Sequence, residues 1–134
     1  MGGVLSAVLG GDAAAAAADG DSAEGSQVKS FHSSPRFQLH FNEIKDSSKL
    51  VVIDFSASWC GPCKFIEPHI HAMAENYTDV EFIKLDVDQL PDVAKDFQVQ
   101  AMPTFVLVKQ GKEIDRVVGA KKDELEKKVK QYRA

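Results

Sequence analysis

The sequence predicts an α/β fold with a central mixed five-stranded sheet flanked by four helices. Short runs rich in β-branched and aromatic residues alternate with segments whose apolar residues recur at helical spacing. Strands separated by a helix are expected to be parallel, because a parallel pair needs a long crossover connection. The last two strand-like runs are instead separated by a tight turn at Gln110-Gly111-Lys112, which requires an antiparallel pair. The sheet is therefore expected to be mixed.

Length and composition indicate one folded domain preceded by an arm. The 134 residues suffice for one domain with its own core and are too few for two ordinary ones. Residues 1–27 consist mainly of Gly, Ala, Ser and Asp, which cannot bury enough apolar surface to offset the entropy lost on ordering. We therefore expect a disordered arm over residues 1–27 and a folded domain over residues 28–134.

The first half of the domain is predicted to run strand, helix, strand, helix. Residues 28–31 form a candidate strand, and Pro35 suits the first turn of the helix that follows. The nearly unbroken apolar run at 50–57 is typical of a strand covered on both faces. The next helix is expected to extend to about Tyr77, with a kink at Pro68 because proline lacks an amide hydrogen.

The second half is predicted to contain three more strands and two more helices. Residues 80–87 form a candidate strand and residues 90–97 a short helix. Two strands at 104–109 and 113–118 follow on either side of the tight turn. The last helix is expected at about 122–132, where apolar residues form one stripe.

Charge and hydropathy exclude several classes of function. The chain has 16 basic and 20 acidic residues and no basic run longer than a pair, so a nucleic-acid partner is not expected. Asp12, Asp19 and Asp21 interrupt the alanine-rich start, so it does not form the roughly 20-residue apolar segment that spans a bilayer. That start also lacks the features of a secretory signal or a transit peptide. We therefore expect the protein in the cytoplasm. We also expect it to be a monomer.

The only two cysteines lie three positions apart in Trp59-Cys60-Gly61-Pro62-Cys63. Cys60 follows the buried strand and precedes a helix, so it is expected at an exposed helix N-terminus. There the free amides and the helix dipole lower a thiol pKa. Cys63 lies one turn further along, close enough to form a disulfide yet more shielded. We therefore expect Cys60 to be the nucleophile and Cys63 the resolving cysteine, supported by the apolar surface of Trp59 and the stiff turn at Pro62.

A pair of cysteines at this spacing is also half of a zinc site. A structural zinc ion needs four ligands, and the other soft donors in the chain are His32, His40, His69 and His71. His69 and His71 are two positions apart on a predicted helix, so they do not face the same side. The number and placement of the ligands therefore favour redox chemistry, and we expect no metal.

Asp54 is a carboxylate within an otherwise apolar strand. Burial there is expected to raise its pKa toward neutrality, which makes it a candidate proton acceptor for Cys63. The alternative, an exposed aspartate on an edge strand, is disfavoured by its apolar neighbours. Lys84, on the next strand, is expected near Asp54, where its charge would reduce that shift, although a solvated strand lysine is the alternative.

Several segments resemble the thioredoxin family and occur in the family's order. They are Asp54-Phe55, residues 59–64, Pro68, Asp86, Met102-Pro103-Thr104, Gly111 and Val118-Gly119-Ala120. The resemblance extends from about residue 28 to the C-terminus and is greatest to plant h-type thioredoxins with an extended N-terminus that begins Met-Gly-Gly. It implies the thioredoxin fold for the whole domain.

The resemblance also implies a function, the reduction of disulfides in target proteins by dithiol-disulfide exchange through a redox-active Cys60-Cys63 pair. An NADPH-dependent thioredoxin reductase would regenerate the dithiol, so NADPH acts indirectly and no cofactor is expected to bind this chain. Pro103 is expected to be cis and to lie against the disulfide. The backbone of Met102 is expected to pair with an extended stretch of the target, with Gly119 completing the docking surface.

Three other functions use the same residues differently. A binding module would hold a partner in the same groove without turnover. A glutaredoxin usually carries Tyr between the cysteines, where this chain has Gly61-Pro62, and an oxidase of the secretory pathway usually has His in place of Pro62. Ser56 stands where some thioredoxins carry an aromatic residue, so the packing around Trp59 is expected to differ.

The first six residues fit the pattern for N-myristoylation at Gly2, with Ser6 in the favoured place. A single acyl chain without a nearby cysteine or basic cluster anchors a protein only marginally. We therefore hypothesise that the protein associates weakly and reversibly with endomembranes through Gly2. The alternative is an unmodified tail.

Overall fold

Strands and helices alternate in the predicted order in the computed structural model, which describes residues 27–133. The strands are β1 (Val28–Phe31), β2 (Val51–Ser56), β3 (Glu81–Asp86), β4 (Thr104–Lys109) and β5 (Lys112–Val118). The helices are α1 (Ser34–Ile44), α2 (Gly61–Asn76), α3 (Pro91–Asp96) and α4 (Lys122–Tyr132). Apart from residue 27, the arm predicted over residues 1–27 lies outside the described residues, as does Gly2.

These strands form one mixed sheet in the order β1-β3-β2-β4-β5. β3 pairs in parallel with both β1 and β2, whereas β4 pairs antiparallel with both β2 and β5. The prediction of a mixed five-stranded sheet with four helices is therefore confirmed for the described part of the chain. β2 lies at the centre of the sheet, and all six of its residues are buried.

Apolar side chains pack on both faces of the sheet. One cluster joins Val52 to buried residues of α2 and α4, and the other joins Ile53 to buried residues of α1 and α3. Side chains alternate between the two faces of a strand, so Asp54 points to the same face as Val52. The carboxylate is therefore placed on the side of the sheet that α2 covers.

The start of α1 has the local features that the sequence indicates. Ser33 caps α1, where its hydroxyl accepts a hydrogen bond from the Arg36 amide at 3.4 Å, and Pro35 lies in the first turn. α2 continues through Pro68 as far as Asn76, and the kink expected at Pro68 stays a prediction.

The hairpin of β4 and β5 contains the expected tight turn and one irregularity. Gln110 and Gly111 have φ values of 51° and 79°, and positive values at both central residues are typical of a two-residue hairpin loop. β5 begins one residue earlier than predicted. Leu107 pairs with Asp115 but Val108 pairs with Glu113, so the residue between them on β5, Ile114, forms a bulge that the sequence pattern did not indicate.

Candidate functional site

Cys60 caps the N-terminus of α2 and forms a disulfide with Cys63. The chain leaves β2, turns with the Cys60 amide donating to the Ala57 carbonyl at 3.2 Å, and enters the helix at Gly61. The Cys63 amide donates a hydrogen bond to the Cys60 sulfur at 3.1 Å. The two Cα atoms are 5.3 Å apart, within the range that a disulfide spans. The sequence-predicted redox pair is thus assembled at the start of a helix.

The two cysteines differ in their surroundings, although not in the way predicted. Cys60 is 4% exposed and Cys63 is 7% exposed, so the expectation that Cys60 is exposed and Cys63 more shielded is wrong for this disulfide form. The Cys60 sulfur lies 3.7 Å from the Met102 carbonyl oxygen, and this neighbouring segment covers it. Cys63 instead borders a cavity that also contains Asp54.

Trp59 presents an apolar surface beside the disulfide. Its side chain is 64% exposed, and its indole N–H donates a hydrogen bond to Asp88 Oδ2 at 2.9 Å. That hydrogen bond anchors one edge of the ring and leaves much of the ring open to solvent. Ser56 is buried at the end of β2, but whether it alters the packing of Trp59, as expected, stays a prediction.

A second segment, from the start of β4, lies against the disulfide. The Met102-Pro103 peptide is cis, which confirms that expectation. The Gly119 amide donates to the Pro103 carbonyl at 2.8 Å, and the Thr104 hydroxyl donates to the Ala101 carbonyl at 2.5 Å. The structure therefore places Met102 beside Cys60 and links Gly119 to the neighbouring Pro103 by a hydrogen bond, while the docking role of these residues stays a prediction.

Asp54 lies in a cavity of about 320 Å³ behind Cys63. The cavity is lined by Asp54, Ser56, Ala57, Ser58, Cys63, Lys64, Glu67, Lys84 and Asp86. Asp54 is 5% exposed, and its Oδ1 has no hydrogen-bond partner. Burial raises the pKa of this carboxyl to about 7, while the charge of Lys84 acts to lower it and that of Glu67 to raise it. A buried carboxylate with a pKa near neutrality can accept a proton and release it again.

Lys84 lies near Asp54 as predicted, but it forms its ion pair with Glu67, a residue that sequence reasoning missed. Asp54 and Lys84 are register partners on β2 and β3. The Lys84 ammonium donates to Glu67 Oε2 on α2 at 2.6 Å. Glu67 follows Cys63 by four positions and therefore shares its helix face, which is the signal that could have identified it.

Glu67 has a second neighbour in His71, whose Nε2 is 3.8 Å from Glu67 Oε2. Burial acts to raise the pKa of Glu67, but the hydrogen bond and charge of Lys84, together with His71, outweigh burial and hold it below its ordinary value. His69, by contrast, contacts the ring of Phe65, with centroids 5.9 Å apart. The two helix histidines therefore have different neighbours.

Neither a metal cluster nor a membrane-spanning helix occurs in the part of the chain that the structure describes. Residues 27–133 contain no group of three or more His, Cys, Asp or Glu side chains that could hold a metal ion. None of the helices formed by those residues is both long and apolar enough to cross a bilayer.

Comparison with known proteins identifies the family to which this site belongs. The family model described as Thioredoxin matches residues 33–131. The chain is 68% identical to Thioredoxin H2 of Arabidopsis thaliana over 134 residues, the full length of both proteins. It is 54% identical over 108 residues to Thioredoxin H2-2 of Oryza sativa subsp. japonica, which covers 80% of this chain and 81% of that protein.

A solved structure agrees in fold as well as in sequence. The crystal structure of thioredoxin NaTrxh from Nicotiana alata superposes with a TM-score of 0.81 at 64% identity, and covers 86% of this chain and 100% of that one. Sequence, fold and the disulfide at the start of α2 all lead to the same assignment. The chain belongs to the thioredoxin family and is a protein-disulfide oxidoreductase that works by dithiol-disulfide exchange through Cys60 and Cys63.

Proposed function

We propose that Cys60 attacks the disulfide of a target protein, that Cys63 resolves the mixed disulfide, and that Asp54 accepts the Cys63 proton. One observation carries the assignment of the two cysteines. The Cys60 sulfur, at the helix N-terminus, accepts a hydrogen bond from the Cys63 amide at 3.1 Å. An amide hydrogen bond and the positive end of the helix dipole both favour a thiolate at that atom.

The reaction consists of two successive thiol–disulfide exchanges. The Cys60 thiolate bonds to one target sulfur, and the target disulfide breaks to release the other sulfur as a thiolate. Cys63 then transfers its proton to Asp54, and its thiolate attacks the Cys60 sulfur. This second attack releases the remaining target sulfur as a thiolate. The target gains two electrons, the chain is left as the Cys60-Cys63 disulfide, and the target thiolates take up protons.

We propose that the target docks on the segment around the cis peptide. Met102 offers its backbone beside Cys60, and Pro103 and Gly119 are joined by a hydrogen bond that fixes the two loops relative to each other. Trp59, the residue before Cys60, adds an exposed apolar surface. An extended peptide can pair with such a backbone edge without requiring a particular side chain, which suits a reductase that acts on protein disulfides.

Reduction of insulin with NADPH and a thioredoxin reductase tests the assignment of the cysteines. Cys60→Ser is expected to abolish turnover, because it removes the attacking sulfur. Cys63→Ser is expected to form the mixed disulfide but not to resolve it, so covalent complexes with target proteins accumulate. Undiminished turnover in Cys60→Ser would contradict the proposal.

The same assay separates this function from the alternatives. A binding module would retain targets without consuming NADPH, and its complexes would not depend on a free thiol. A glutaredoxin would turn over well with glutathione and glutathione reductase alone. Turnover that requires the thioredoxin reductase therefore supports the proposal, and efficient turnover with glutathione would count against it.

We also propose that Gly2 is N-myristoylated and that the chain associates weakly with endomembranes from the cytoplasm. The support is the pattern at residues 1–6, which lie outside the described residues, and an alignment with Arabidopsis Thioredoxin H2 that covers the arm. One acyl chain gives marginal, reversible binding, so only a fraction of the protein is expected on membranes.

Pelleting with membranes after expression in plant cells tests this proposal. Gly2→Ala is expected to lose both incorporation of labelled myristate and membrane pelleting, because the acyl chain is attached to the N-terminal glycine. Gly3→Ala is the matched control, since it makes the same substitution one position away from the acceptor. Equal pelleting of Gly2→Ala and the parent would overturn the proposal.

A further inference from the structure

Lys84 lies near two carboxylates, those of Asp54 and Glu67, and is hydrogen-bonded to Glu67. It is the register partner of buried Asp54, yet its ammonium donates to Glu67 at 2.6 Å. The side chains of Lys84 and Glu67 are 32% and 38% exposed, so this ion pair lies at the mouth of the cavity. Asp54 Oδ1 remains without a hydrogen-bond partner inside it. In the structure, the lysine ammonium is therefore paired with Glu67 at the cavity mouth.

We propose that Glu67 is a positioning residue for the resolving step, which holds the Lys84 ammonium at the cavity mouth and so keeps Asp54 available to take the proton of Cys63. The inference rests on the proposed role of Asp54 and deepens it. Glu67 itself acts through Lys84 and is not assigned contact with the reacting sulfurs.

The physical reason is competition between two carboxylates for one cation. An ammonium has three donors and a flexible stem, so without Glu67 it can turn toward Asp54. An ion pair with Lys84 would stabilise the Asp54 carboxylate and lower its pKa. A carboxylate with a lower pKa is a weaker base, and transfer of the Cys63 proton to it would be less favourable.

Several charged groups around Asp54 influence its pKa. On α2, Lys64 and Glu67 line the cavity, and on β3 Lys84 and Asp86 do so. The β4 register partner of Asp54 is an apolar phenylalanine. Glu67 also raises the Asp54 pKa directly through its own charge. A single substitution therefore combines a direct effect and an effect through the lysine, and the test must separate them.

Carboxyl carbon NMR of Asp54 across a pH series, in the full disulfide-bonded chain, measures the effect. Glu67→Gln is expected to lower the Asp54 titration midpoint by about one unit, because Lys84 is released toward Asp54. Glu75→Gln is the matched control, with the same substitution at an exposed position of α2, and it is expected to leave the midpoint unchanged. An unchanged midpoint in Glu67→Gln would overturn the inference.

A double-mutant cycle with Lys84→Gln separates the two routes. If Glu67 acts through the lysine, adding Glu67→Gln to Lys84→Gln is expected to shift the Asp54 midpoint by less than half as much as it does in the parent. An equal shift in both backgrounds would mean that Glu67 acts only by its own charge, and would refute its positioning role.

The rate of resolution completes the test. In a preformed mixed disulfide on Cys60, release of the target thiol is expected to slow several-fold near neutral pH in Glu67→Gln. Asp54→Asn is measured alongside to test the proposed function separately. If Asp54→Asn resolves at the parent rate, the proton-acceptor role fails, whereas the NMR midpoints still decide whether Glu67 positions Lys84. If Asp54→Asn slows resolution and Glu67→Gln does not, the inference about Glu67 fails alone.

Discussion

At the level of single residues, the sequence predicts the chemistry of a site residue better than it predicts which residues surround it. Asp54 was recognisable because a carboxylate interrupts an apolar run, and a strand buried on both faces leaves it little access to water. Glu67 was not recognised, because its contact with Lys84 joins a helix to a strand and depends on how the two pack. The error about Cys60 has the same origin, since Met102, which covers it, lies 42 positions away in the sequence.

Asp54 is expected to make the fold less stable at neutral and alkaline pH. Its folded-state pKa of about 7 lies above the ordinary value of 3.8, so the folded state holds a proton that the unfolded state has already lost between these values. Stability contributed by this group is fully present below about pH 4 and is lost as the pH rises to 7. Asp54→Asn carries no such charge, so it should be more stable than the parent above pH 7, by up to about 4 kcal/mol.

Urea unfolding of the disulfide form between pH 4 and pH 8 measures this difference. The gain in the free energy of unfolding from Asp54→Asn should shrink steadily as the pH falls and disappear near pH 4. Asp46→Asn, at an exposed position in the turn after α1, serves as the control and should show no comparable trend. A pH-independent gain in Asp54→Asn would show that the titration of this carboxyl is not the cause.

Elements were more predictable than the contacts that hold them in place. The structure confirms the type and order of all nine predicted elements, and their boundaries mostly differ by one residue, as at β2, where 50–57 was expected and Val51–Ser56 is found. The bulge at Ile114 was not expected, because the sequence of β5 alone does not state which residue of β4 each position faces. Register is a property of two strands together.

Arg116 on β5 illustrates a contact between elements that the sequence pattern did not indicate. Its Nη2 donates to the Phe97 carbonyl at 2.6 Å and to Glu113 Oε1 at 2.9 Å. Phe97 ends α3, and the chain from there leads to Met102. Arg116 therefore ties the C-terminal end of α3 to the edge strand β5.

Arg116→Ala is expected to lower the free energy of unfolding by about 1–2 kcal/mol, because it leaves the partly buried Phe97 carbonyl without this donor. Denaturant unfolding provides the measurement. Lys112→Ala, which removes an exposed cation from the same strand, should change stability by less than about 0.5 kcal/mol. Equal effects of the two substitutions would show that the hydrogen bonds of Arg116 contribute nothing specific.

For the whole molecule, the sequence pattern predicted the mixture of parallel and antiparallel strands but not their spatial order. Alternation of strands and helices is compatible with several arrangements, and the observed order β1-β3-β2-β4-β5 depends on which crossover passes which face of the sheet. The resemblance to thioredoxins supplied what periodicity left open. One family motif, for example, places Met102 beside Cys60 although the two residues are 42 positions apart along the chain.

The folded unit is predicted to be independent of the arm. Among the described residues, two apolar clusters cover both faces of the sheet, and the family model matches residues 33–131. Removal of residues 1–26 should therefore leave the urea midpoint and insulin reduction unchanged, while membrane pelleting is lost with Gly2. A large fall in the urea midpoint would show that the arm packs against the domain.

The two edges of the sheet have a consequence for self-association. Exposed strands can pair with another chain and start aggregation, and proteins counter this with short strands, bulges and charged side chains. β1 has four residues, with Lys29 exposed in its middle. β5 is longer, but the bulge at Ile114 breaks its regularity and charged residues flank it. Within the described sheet, neither edge offers a long, flat, apolar template, so we expect the sheet edges not to promote pairing between molecules.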